Sequence, residues 1–215
     1  MTYSIIAHFA LVVLVGLTGS RAFAQQMKPL TTPPSTQPTT RPFVVGEAKL
    51  PEGFPAPGEV GKVVVKSYPA YRAARVTRDD VTGQDQMFGT LFKHIQQNDI
   101  KMTAPVEMTY ATDPKDGTTA MSFLYATPTM GTLGADGVVQ VIDVPAARVV
   151  SMAVRGNYSR ETFDEAVVSL REWLSKHPEF KPKGQPRYLG YNSPFVPPFM
   201  RYGEVQIEVN EDAGK

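Results

Sequence analysis

The chain of 215 residues contains no cysteine. That excludes disulfides, thiolate-bound zinc, iron–sulfur clusters, covalent cofactor attachment through C-x-x-C-H and a cysteine nucleophile. Histidine is nearly as scarce: His8, His94 and His177 are the only three, and no H-x-x-x-H or H-E-x-x-H spacing joins them into a zinc site. Charge imbalance is missing too. With 22 basic and 21 acidic residues and a net charge of +1, and no Lys/Arg block interleaved with aromatics, nothing argues for nucleic acid. There is no G-x-S-x-G, phosphate loop or dinucleotide fingerprint. Asp79 and Asp80 read as a loop, and Glu161, Asp164 and Glu165 suit the first turn of a helix. No catalytic constellation emerges, so the expectation is a protein that is not an enzyme.

A long apolar run is also lacking. Ile5–Leu17 is too short for the ~20 residues that span a bilayer, and it precedes Ala22-Phe23-Ala24, an A-x-A cleavage pattern. Residues 1–24 therefore read as a secretory signal and Gln25 as the mature start, although the n-region carries no Lys or Arg. An uncleaved anchor is the alternative. The expectation is an exported, periplasmic or extracellular protein with no stable membrane span in its mature form. Residues 25–59 are rich in Pro, Thr and Gln and read as an extended linker or, alternatively, a Pro-rich recognition segment.

The folded domain is expected over 60–210, with a short tail at 211–215. Gly61 to Thr77 is β-branched and aromatic, and reads as one long strand, bulged or bent at Pro69. Phe88, Leu91, Phe92 and Ile95 recur at helical spacing, which predicts a helix over Gln86–Gln97 with Asp85 as N-cap. Strands over Val106–Ala111 and Thr119–Thr127 follow, joined by the turn Asp113-Pro114-Lys115-Asp116-Gly117. The order then repeats. Pro69-Ala70-Tyr71-Arg72 matches Pro145-Ala146-Ala147-Arg148, 76 residues later. Ser159 opens a second helix running to Lys176, and strands near Arg187–Tyr191 and Glu204–Val209 close the half. The pattern is a duplicated βαββ unit: an α+β fold with one antiparallel sheet and two packed helices.

Three prolines and several large apolar side chains crowd the stretch Tyr191 to Val205. Its aromatics, Tyr191, Phe195 and Phe199, must cover either the protein's own core or a flat apolar ligand. His94 borders the apolar stripe of the first helix, where it reads as an axial iron ligand or as a histidine bonded to backbone. Arg72, Lys93, Arg148 and Arg201 can meet ligand carboxylates or form surface ion pairs. The scattered methionines read as core, with thioether ligation of a metal as the sharper option.

Three segments, in order, resemble the SOUL haem-binding proteins: Phe88-Gly89-Thr90-Leu91-Phe92-Lys93-His94-Ile95-Gln96-Gln97-Asn98, then Ile100-Lys101-Met102-Thr103-Ala104-Pro105-Val106, then Tyr191 to Val205. The resemblance implies a barrel-like sheet of the kind found in gyrase-inhibitor-type effector-binding domains. It implies haem or another tetrapyrrole held noncovalently in an apolar groove beside the first helix, for carriage or buffering. Expected contacts are Met87, Leu91, Lys93, His94 and Ile95 from that helix, with Tyr191, Phe195 and Phe199 from the proline-rich stretch. Lys93 is the basic group placed to meet a propionate. His94 stands where the family commonly has Tyr, Val196 where some members have Lys, and Tyr202-Gly203 where Arg-Asn is usual. Two alternatives remain: a module for another hydrophobic molecule or a ligand-free interaction domain, and an enzyme acting on a tetrapyrrole.

Overall fold

The computed structural model describes residues 46, 48–113, 117–193 and 195–211. The expected signal peptide with His8, most of the Pro/Thr-rich segment, the centre of the 113–117 turn, Pro194 and positions 212–215 lie outside the described residues. The elements in order are β1 (Val63–Tyr68), β2 (Tyr71–Thr77), α1 (Gln84–Gln97), β3 (Val106–Tyr110), β4 (Thr118–Leu124), β5 (Gly134–Asp136), β6 (Val139–Val144), β7 (Ala147–Arg155), α2 (Arg160–Ser175), β8 (Phe180–Gly190) and β9 (Tyr202–Glu211).

The nine strands form one antiparallel sheet in the order β1-β7-β9-β8-β3-β4-β2-β6-β5. The long strand expected over 61–77 is two strands with different partners. β1 pairs with β7, whereas β2 pairs with β4 and β6. Pro69, without an N–H, breaks the ladder where the partners change. Pro145-Ala146 breaks the second half at the equivalent place, between β6 and β7. β1 and β2 stand six places apart in the sheet order, which in a flat sheet is roughly 29 Å at about 4.8 Å per strand. Tyr68 and Tyr71 are linked by chain that reaches only about 10 Å. The sheet therefore has to curl into the barrel-like form.

Both helices cover one face. α1 starts one residue after Gly83, whose φ of 94° is open to glycine but strained for other residues, and Asp85 sits in the first turn rather than at the cap. Its buried stripe is Met87, Leu91, His94 and Ile95, rotated from the expected one. Phe88 is only partly buried, edge-on to Phe123 at 5.0 Å, and Phe92 is 40% exposed. In α2, Ser159 caps the end by accepting from Thr162 N–H, and Phe163, Ala166, Val167, Leu170 and Leu174 face the sheet. β8 and β9 extend beyond their expected bounds.

The opposite face is covered by chain that reads as linker. Among the described residues, the expected linker ends before Ala48, not at Glu59. Ala104 N–H donates to Lys49 O (3.0 Å) and Glu52 N–H to Ala126 O (2.9 Å). Phe54 sits edge-on to both Tyr68 (5.0 Å) and Tyr71 (5.2 Å). Residues 48–58 are thus a strap, fixed because their few apolar side chains meet rings that the sheet leaves uncovered.

Candidate functional site

On α1, the expected ligand contacts divide by helical phase. Met87 and Leu91 are 0% exposed and Ile95 is 3% exposed. All three belong to the core between helices and sheet, so they line no groove. Lys93 lies on the solvent face.

His94 is buried, with both ring nitrogens engaged. Nδ1 lies 2.7 Å from Asp136 Oδ2 and Nε2 lies 2.8 Å from the Tyr125 hydroxyl. A carboxylate only accepts, so Nδ1 carries the proton and donates it to Asp136, and Nε2 accepts from Tyr125. Burial, reinforced by the Asp136 charge, pushes the Tyr125 phenol up to about 12, so it stays a neutral donor. Asn98 adds a bond from Nδ2 to Asp136 (3.3 Å). Gly131 leaves room for this ring: a Cβ there would lie 2.7 Å from Tyr125 Cε2. The expectation that His94 ligates iron is corrected here, because its lone pair is taken by Tyr125. His177 carries its proton on the same nitrogen. Its Nδ1 donates to Trp173 O (2.8 Å), which puts the lone pair on Nε2.

The proline-rich stretch also divides. Tyr191 is buried on the strap side, with its ring 5.2 Å from that of Tyr202 and its hydroxyl 3.4 Å from Glu204. Burial and the Glu204 charge hold its phenol well above the ordinary range. Phe195 and Phe199 stand 94% and 73% exposed, the latter on a single 3-10 turn at Pro198–Met200. Arg72 is tied to Asp143 (2.8 Å), and Arg201 Nε donates to Val196 O (2.8 Å). The structure does not gather the expected residues into one site. It does form a cleft of about 170 Å³ between α1 and the stretch after β8, lined by Phe88, Met102, Val106, Tyr191 and Asn192 among others.

Two buried carboxylates escaped the sequence reading. Glu107 accepts from Arg75, Arg187 and Tyr71, each at 2.9 Å. Burial alone would raise its pKa; Arg187 and Arg75, with the Tyr71 hydrogen bond, hold it below the ordinary value instead. Glu204 accepts from Lys66, Gly58 N–H (2.7 Å), Ser151 (3.2 Å) and Gln206 (3.2 Å). The sequence hid them: Glu107 alternates with Thr109, and Glu204 with Gln206 and Glu208, out of phase with the aliphatic positions of β3 and β9, so both read as part of a polar, solvated face. Both are fully partnered, which gives them a structural role. Among the described residues, no three His, Cys, Asp or Glu side chains gather as a metal site, and no helix is long and apolar enough to cross a membrane.

Among solved structures, the chain is similar to the C-terminal domain of EcmrR, at 16% identity and TM-score 0.52 over 70% of this chain and 98% of that one. It is similar to an uncharacterised conserved protein from Listeria innocua, at 14% identity and TM-score 0.53 over 70% and 93%. It is also similar to a hydrolase from Listeria innocua, at 13% identity and TM-score 0.52 over 72% and 94%. Such low identities show a shared fold and nothing finer. No curated protein matches the chain in sequence. The family model described as SOUL heme-binding protein matches residues 58–208, from the end of the strap into β9. The chain belongs to the SOUL haem-binding protein family.

Proposed function

We propose that this is an exported carrier or buffer that binds haem or a related tetrapyrrole noncovalently. The observation that carries the reading is the family match spanning the whole sheet-and-helix unit, 58–208, on a fold whose helices leave apolar clefts against the sheet. The export part rests on Ile5–Leu17 followed by Ala22-Phe23-Ala24.

Near α1 the residues suit such a guest in chemistry but only partly in size. Phe88, Met102, Val106 and Tyr191 line the cleft, exposed Phe92 stacks beside Phe88 at 6.1 Å, and Lys93 is the exposed cation on the helix. A volume of about 170 Å³ falls short of the roughly 300–1,000 Å³ of ordinary ligand sites, so it takes an edge of a macrocycle. That shortfall favours, as the second reading, a smaller hydrophobic ligand. Haem, when bound, supplies the iron; the chain supplies apolar surface, cations for propionates and exclusion of water.

Haemin titration of the purified protein tests the reading. Saturation at one equivalent with a defined Soret band is expected, and featureless, non-saturating absorbance removes it. For export, the expected result is a secreted or periplasmic protein whose N-terminal residue is Gln25.

A further inference from the structure

The cleft beside α1 has a counterpart in the second half. α2 is two residues longer than α1, so past the helices the offset of the duplication grows from 76 to 78, and the lining residues Met102, Ala104 and Val106 correspond to Phe180, Pro182 and Gly184. Those three line a cavity between the end of α2 and β8. The duplication thus makes two related cavities, and they differ in size and charge. The second holds about 510 Å³ against about 170 Å³, which brings it within the usual range for a small-molecule site.

The sequence explains the difference. α2 is a 16-residue helix where α1 has 14, and Pro178 follows soon after its end. β8 runs through Pro182, Gly184 and Pro186, and its register with β9 slips between Lys183 and Arg187. Prolines that cannot donate and a glycine at φ 69° lift this part of the strand out of regular pairing. What is left is a cavity with an apolar lining, Leu174, Phe180 and Ile207, together with two cationic side chains, Arg171 and Lys181. The α1 cleft has no charged lining residue. Arg171 and Lys181 put cationic side chains on this wall and none lines the α1 cleft, so of the two the α2–β8 cavity is the one suited to a carboxylate-bearing guest.

We propose that this α2–β8 cavity, rather than the cleft beside α1, seats the tetrapyrrole: the apolar lining takes the ring, and Arg171 and Lys181 take its carboxylates. This rests on the tetrapyrrole reading given under Proposed function. The seat uses area and charge rather than iron ligation, so metal-free protoporphyrin binds there as haemin does.

The test titrates haemin and metal-free protoporphyrin into the full chain and three variants, each first shown by thermal melting to be folded. Arg171→Glu/Lys181→Glu reverses the charge, Ser175→Trp puts bulk into the cavity, and Phe88→Ala/Phe92→Ala strips the stacked rings at the α1 cleft. The expected result is dissociation constants raised about tenfold or more in the first two, as for loss of a charge-assisted hydrogen bond, and unchanged in the third. Trp173 is the only tryptophan, and its ring lies 5.6 Å from that of Phe180 in the cavity wall. Its single indole N–H resonance is therefore expected to shift on adding protoporphyrin to the wild-type chain. Saturable binding with a still indole signal, or weakening in the Phe88/Phe92 variant comparable to that in the other two, moves the seat away from α2 and overturns the proposal while the carrier reading stands. Absence of saturable binding by the wild-type chain takes down both.

Discussion

Tyr125 donates its hydroxyl proton to His94 Nε2 across 2.8 Å, while His94 Nδ1 donates to Asp136. The chain of bonds fastens α1 to the residue after β4 and to the end of β5, so the imidazole works as a structural tie. His94→Ala is expected to leave the haemin absorption spectrum unchanged and to cost about 1–3 kcal/mol, since Tyr125 loses its acceptor in the interior. Denaturant unfolding measures the second and the Soret position the first. A shifted Soret band would restore His94 as an iron ligand.

Glu107 sets an acid limit on stability. Its folded pKa lies below its ordinary value because Arg187 and Arg75 outweigh the effect of burial. A depressed carboxylate stabilises the fold fully above its unfolded pKa of about 4.3, and that contribution is lost as pH falls through the lower folded value. Melting temperature is therefore expected to drop as pH falls below about 4.3, with a shallower drop in Glu107→Gln. At neutral pH the same substitution leaves Arg187 and Arg75 short of their counter-charge, at a cost of about 3–5 kcal/mol. Equal slopes for the two proteins would mean that another group sets the acid limit.

The strap over residues 48–58 contributes to the fold. Phe54→Ala removes two edge-on ring contacts from a partly buried side chain and is expected to cost about 1–2 kcal/mol. A chain beginning at Val60 also takes away Gly58 N–H, a donor to the fully buried Glu204. It should melt well below one beginning at Gly46, and identical melting curves would reduce the strap to a passenger.

Gly203 stands where family members usually carry Asn, and the reason is local. A Cβ at 203 would come within 2.4 Å of the Tyr188 hydroxyl, and Tyr188 is fully buried. Gly203→Asn is expected to destabilise by about 1–3 kcal/mol through overpacking. Tyr188→Phe in the same chain removes the clashing oxygen and should recover part of that loss in an unfolding titration.

Much of this architecture could be read from the residues because it rests on local rules. Helical spacing located α1 and α2, and the repeat of Pro69-Ala70 at Pro145-Ala146 revealed the duplication. The partners of His94 could not be read, since Tyr125 and Asp136 lie 31 and 42 residues away and no periodicity links them. The strap was hidden by composition, because a proline-rich segment needs only one well-placed ring, Phe54, to be held. The lining of the groove was hidden for a related reason. An apolar stripe such as Met87, Leu91 and Ile95 shows that something covers it, and only packing shows that the cover is the protein's own sheet.

The two-residue links at 69–70 and 145–146 have a consequence for how such a chain could arise. β1 finds its partner in β7, β2 touches β6, and β3 touches β8, so each repeat is completed by strands from the other. An ancestral single repeat with these edges would close only against a second copy of itself. The present chain then reads as a fused homodimer, in which two once-identical hollows became free to diverge.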